Sequence, residues 1–213
     1  MAASLGKNPF AQGAYNPGSV TIVDWEYWDT LTVSAAVPQT TMFSDRLGTG
    51  GKTLADTNMT GQGGSLPTGQ WMQVWAIRIF GIFTGAVGNA TPYSLVSAEA
   101  QGVLNLLAST TVDIGIANLA SQGQWTLQSL AGIPLTGTVL PAATMYAQSA
   151  VASPRWHGIY PLNNPITLPE QTGFTVTVIH QDMGATSWVT TAPTIAGSKI
   201  RIGLVGKLAR MGA

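Results

Sequence analysis

Short runs of β-branched and aromatic residues, each bounded by Gly, Pro, Asn or Asp, recur along this chain and predict strands. They fall at Val20–Trp25, Thr30–Val37, Trp71–Phe83, Thr111–Ala117, Trp125–Leu130, Ile159–Leu168, Phe174–His180 and Lys199–Val205. "FTVTVIH" alternates with period two, putting Phe174, Val176 and Val178 on one face and Thr175 and Thr177 on the other, as a half-buried strand does. Trp71–Phe83 is apolar on both alternating faces, which predicts a central strand covered on each side. Helical spacing is confined to Ser97–Ala108, where Ser97 is an N-cap candidate, Glu99 lies in the first turn, and Val103, Leu104 and Leu107 share a face. No helices alternate with the strands, so a parallel βαβ sheet is not expected. The pattern predicts an all-β antiparallel sandwich with one short helix, the segments 44–69, 131–158 and 181–197 forming its ends and corners.

Length fits this picture, since 213 residues suit one sandwich domain. We place it at 20–213, after an extended N-terminal arm at 1–19 that has neither the charged start nor the apolar core of a secretory signal. "LPTGQWMQVWAI" (66–77) and "LPEQTGFTVTVI" (168–179) resemble each other. Two halves of about a hundred residues leave little room for eight strands in each, so we read two strands entered by similar turns rather than a duplicated fold. The apolar stretch from Trp71 is interrupted by Gln73 and Arg78 and ends in Gly, Asn and Pro, too soon to span a bilayer as a helix.

Charge changes the picture. Only 8% of residues are charged, against about 25% in a typical domain. Nine basic and nine acidic residues cancel to a net charge of zero. Such a surface gives a free monomer little protection against association, so much of it is expected to be covered by copies or partners. There is no cysteine, which excludes disulfides, thiolate metal sites and cysteine nucleophiles.

Candidate chemistry is sparse. "RLGTGGKT" (46–53) resembles a phosphate-binding loop, but Arg46 stands where the first glycine belongs, and neither flank supplies the strand and helix that the mechanism needs. It reads as a loop whose Lys52 is solvated or paired with a neighbouring subunit. His157 and His180 lack the spacing that puts two imidazoles on one metal, and His180, ending a strand, reads as solvated. Ser65 in "GGSLP" is not in a nucleophile elbow. The sequons at Asn58 and Asn89 would matter only in a secreted eukaryotic protein. In "VDWEYWD", Asp24, Glu26 and Asp29 could serve glycoside hydrolysis; extended, the segment puts Asp24 and Glu26 on one face and Trp25 and Tyr27 on the other. Acids alternating with aromatics equally describe a subunit contact, the reading we favour. Lys199, Arg201, Lys207 and Arg210 make a basic tail. It is either a surface for nucleic acid or anionic lipid or, the favoured reading, the solvent face of a strand whose Ile200, Ile202 and Leu204 face the core.

With the strands laid out, the chain from Lys52 onward resembles the jelly-roll capsid proteins of small icosahedral bacteriophages, including those that enclose an internal membrane. The resemblance is carried by the joint order of "KTLADTNMTGQGGSLPTGQWMQVWAIRI" (52–79), "LNLLASTTVDIGIAN" (104–118), "YPLNNPITLPEQTGFTVTV" (160–178) and "KIRIGLVGKLAR" (199–210). It implies an antiparallel β-sandwich of jelly-roll type, a single roll at this length, acting as a shell subunit in the virion after synthesis in the host cytoplasm. Its partners would be copies of itself and other capsid proteins, with the basic tail meeting lipid or genome on the inner side. No enzymatic activity, cofactor, metal or small-molecule substrate is expected. Because aromatic residues dominate interface energies, Phe10, Tyr15, Trp25, Tyr27, Trp28, Trp156 and Trp188 are the expected contact anchors. Two other readings remain: a carbohydrate-binding sandwich of phage-spike or lectin type, with Trp156 or Trp188 as sugar platform, and a glycosidase using Asp24 and Glu26.

Overall fold

A computed structural model describes residues 8–10, 20–32, 39–61, 63–82, 109–116, 121–131, 158–180 and 199–211. Eight strands run in chain order: β1 Val20–Thr32, β2 Gln39–Met42, β3 Gln70–Ile82, β4 Thr110–Ile116, β5 Gly123–Thr126, β6 Ile159–Leu168, β7 Phe174–His180 and β8 Lys199–Met211. A short helix, α1, spans Leu127–Ala131. The strands form two four-stranded sheets, β1-β8-β3-β6 and β2-β7-β4-β5, antiparallel throughout. Packed face to face, they make a sandwich in the jelly-roll strand order, as the pattern and the resemblance led us to expect.

Alternation explains which side chains meet between the sheets. The inward positions of the first sheet contribute Tyr27, Leu31, Met72, Val74, Ile77, Leu168, Ile200, Ile202, Leu204 and Leu208, all buried. Against them lie Val112, Ile114, Ile116, Phe174, Val176 and Val178 from the second. Phe43, Met59, Leu66, Leu127 and Leu130 close the ends, and Phe43 meets Phe174 with ring centroids 5.8 Å apart. Each fully buried large side chain contributes about 1.5–3 kcal/mol before the entropy of ordering it is subtracted.

Several strands depart from the sequence reading. Val20–Trp25 and the start of Thr30–Val37 are one unbroken strand of 13 residues. The intervening acids do not interrupt it, because they alternate with apolar positions and find partners. β2 lies in "QTTM", three polar residues and Met42 directly after Pro38, and among the described strands it pairs with β7. The strand expected at Trp125–Leu130 divides into β5 and α1. β8 runs on from Val205 to Met211. β3 is central, and Trp71 and Ala76 on it are buried, but the pairing with β8 slips between Val74 and Ala76, leaving Trp75 as a bulge residue 47% exposed. Across that slip lies Gly206, where a Cβ would run into the Gln73 carbonyl, so only glycine fits. The helix expected at Ser97–Ala108 and most of the arm at 1–19 lie outside the described residues, as do nearly all of 131–158 and 181–197.

The two similar Leu-Pro turns are indeed separate strand entries, and they meet. Gln171 N–H donates to Leu66 O at 3.1 Å and Phe174 N–H to Gly64 O at 2.6 Å. Glu170 Oε2 accepts Gly69 N–H at 2.5 Å, and Gln171 Nε2 donates to Thr68 Oγ1 at 2.6 Å. Gly69, with φ +75°, adopts the left-handed conformation that glycine enters without a Cβ penalty. The clasp ties the entry of β3 in one sheet to that of β7 in the other.

Candidate interaction surface

The outward face of the first sheet carries a row of ion pairs whose geometry follows from register. Asp24 lies directly across from Lys207, and their charged groups are 2.6 Å apart. Glu26 reaches over β8 to Arg78 at 2.7 Å; Gly203 lies beneath, where a Cβ would strike the Glu26 carboxylate. Lys199 pairs with Asp56 at 3.1 Å. The Asp56 carboxyl is lowered to about 2, first by the Thr53 backbone N–H, then by Lys199 and the Thr53 hydroxyl. Arg201 stacks on Trp28, 5.7 Å from the ring centroid, and donates to the Ala55 carbonyl and to Thr30 Oγ1.

The basic tail is therefore not one patch. Lys199, Arg201 and Lys207 are held by Asp56, the Ala55 carbonyl and Asp24 within the same chain. Arg210 sits across the sheet, 5.2 Å from the ring of Trp25. Ile200, Ile202 and Leu204 face the core, as the solvent-face reading had it.

The acidic segment divides just as alternation requires. Asp24 and Glu26 share the outward face with their cationic partners, while Trp25 and Tyr27 share the inward one, edge to face with centroids 6.1 Å apart. Asp29 also points inward and is wholly buried. Its carboxylate accepts Phe43 N–H at 2.5 Å and Thr30 N–H at 2.9 Å, and Lys52 Nζ binds both oxygens at 2.7 and 2.8 Å. The lysine of the glycine-rich loop is thus neither solvated nor reserved for a neighbour. It pairs with a core carboxylate and fastens the loop to β1. The turns between Arg46 and Lys52 bring it there, Gly48, Gly50 and Gly51 all having positive φ.

The adjoining Thr57-Asn58 pair continues this attachment along the outer edge of β1. Asn58 Oδ1 accepts Trp28 N–H and Asn58 Nδ2 donates to Glu26 O, each at 2.8 Å. Thr57 Oγ1 donates to Trp28 O at 3.0 Å. One asparagine amide thereby satisfies the groups that a neighbouring strand would otherwise take.

Tyr27, expected as a contact anchor, is a core residue; its OH donates to Gln70 Oε1 at 2.9 Å, and burial raises its pKa against the opposing charge of Arg210. Trp25 and Trp28 are half-buried. The indole N–H groups of Trp25, Trp28 and Trp71 have no acceptor among the described residues. Phe10 is half-buried in a turn, its N–H donating to Asn8 Oδ1 at 2.9 Å. Tyr15, Trp156, Trp188 and His157 lie outside the described residues. His180 is buried rather than solvated, and 2.7 Å separates its Nδ1 from Thr110 Oγ1. Sequence reasoning missed the exposure of Ile22 and Trp75, and no local signal could have shown it for Trp75, because the bulge depends on the register with β8.

No protein-family model and no curated protein matches the chain.

Proposed function

We propose that this chain is a structural subunit of a bacteriophage particle, a jelly-roll capsid protein that assembles with copies of itself into a shell. The observation that carries the reading is the strand order β1-β8-β3-β6 over β2-β7-β4-β5, together with the sequence elements whose order resembles that family. The low, balanced charge supports it, as does an outward sheet face where Lys207 and Arg78 are paired with Asp24 and Glu26 of the same chain and Ile22 and Trp75 are left exposed. Neighbouring subunits meet through edges and corner loops in closed symmetric contacts, with aromatic side chains as anchors.

Size-exclusion chromatography with negative-stain microscopy of the purified protein tests this. The expected result is particles or regular oligomers of uniform size; a stable monomer at high concentration would overturn it.

A further inference from the structure

β1 is an edge strand, and its register with β8 is unbroken from Val20 to Thr32. Trp28 presents both its N–H and its C=O to Asn58 and Thr57, away from β8. By the two-residue period of a strand, Val20, Ile22 and Asp24 present theirs to the same side. The cap on that side ends at Glu26. From Val20 to Asp24 the edge has no partner among the described residues.

The other edges are blunted. β6 carries Pro161 and Pro165, and β2 and β5 are four residues each. Prolines and shortness are the usual devices against strand addition. The first half of β1 has neither, and Ile22 at its centre is 51% exposed.

We infer that Val20–Asp24 docks against the same edge of a second copy of this chain, antiparallel about a two-fold axis at Ile22, joining the two first sheets into one. The edge is complementary to itself in this register. Ile22 faces Ile22 of the second copy, and Val20 faces Asp24. Asp24, already neutralised by Lys207, meets no second acid. An axis at Asp24 would set two carboxylates face to face, which is destabilising. An axis at Val23 would place Val20 opposite Glu26, whose carbonyl Asn58 already occupies. The contact deepens the shell reading and rests on it for the identity of the partner.

A chain without cysteine allows a direct test. Hydrogen-bonded residues opposite one another in an antiparallel pair have Cα atoms about 5.5 Å apart, within the roughly 4.4–6.8 Å that a disulfide spans. Ile22→Cys treated with diamide is expected to give a covalent dimer on a non-reducing gel. Asp24→Cys is expected to stay monomeric there, its two thiols lying four residues out of register, roughly 13 Å apart. Ile22→Pro removes the outward N–H together with the isoleucine side chain and takes no hydrogen bond from the pairing with β8; its far-UV circular dichroism should match the parent while association weakens at least tenfold. No dimer from Ile22→Cys, or equal cross-linking by Asp24→Cys, would overturn the contact. Covalent dimers without particles would keep the contact and remove the shell reading. Particles formed as readily by Ile22→Pro would do the reverse.

Discussion

Asp29 and Lys52 show how much one residue pair can decide. The side chain of Asp29 is 1% exposed and that of Lys52 20%, so little solvent screens the pair. Removing one partner from a buried pair leaves an uncompensated charge and costs about 3–5 kcal/mol. Lys52→Ala should therefore lower the free energy of unfolding in urea by about 3 kcal/mol; a loss under about 1 kcal/mol would class it with exposed pairs. His180 sets a pH response. Burial lowers its pKa below the ordinary 6.5, so below that pH the unfolded chain binds a proton that the folded chain resists. Stability contributed by the neutral imidazole is complete above pH 6.5 and lost as pH falls through the folded value. Within that range the slope approaches about 1.4 kcal/mol per pH unit for one proton. Unfolding measured from pH 7.5 down to 4.5 should lose this slope in His180→Gln, and an unchanged slope would assign it elsewhere.

At the scale of elements, the outer edge of β1 is terminated by a side chain rather than by a strand. Asn58→Ala removes both amide hydrogen bonds and returns Trp28 N–H and Glu26 C=O to the solvent, at a cost of about 1–2 kcal/mol. It also lengthens the open edge, so the variant should aggregate faster on warming, followed by light scattering; unchanged scattering would show the cap to be dispensable. Within the sheet, Gly206→Ala should destabilise by about 3 kcal/mol in urea unfolding, because the added carbon meets a main-chain carbonyl in a central strand rather than a side chain able to move. What the sequence made legible follows the same logic. β6 and β7 were readable to the residue, since β7 alternates cleanly and Leu-Pro and Thr-Gly set the boundaries between them. The sequence pattern divides β1 into two pieces, because an acid in a strand looks like a breaker until its cross-strand cation is known. β2 is not legible because three polar residues and a single apolar one, Met42, carry no period of their own, and β7 supplies their pairing. Of the candidate site, the shared face of Asp24 and Glu26 was readable from alternation. The Asp29–Lys52 pair was not, as its members stand 23 positions apart and meet only when the loop folds back.

For the whole molecule, the arrangement of charge bears on how it associates. Nine cations and nine anions cancel, and on the outward sheet face each of Lys207, Arg78 and Lys199 lies within 3.1 Å of a carboxylate of its own chain. A surface that recruits nucleic acid instead leaves cations free to displace counterions, and binding then falls steeply with salt. Contacts between neutral edges and exposed apolar side chains behave differently: screening removes little from them, and strongly excluded salts favour burial. Association of the nuclease-treated protein should therefore proceed without nucleic acid. Between 50 and 500 mM NaCl its midpoint concentration should move by less than about threefold, whereas neutralising even a few phosphates would change affinity by orders of magnitude over a comparable range. Sedimentation velocity across that range, with absorbance at 260 and 280 nm to follow any bound nucleic acid, provides the measurement. Dissociation that steepens with salt, or assembly that starts only when nucleic acid is added, would mean that free basic groups drive association, and the ion pairs on the outward face would then have to open in the assembled state.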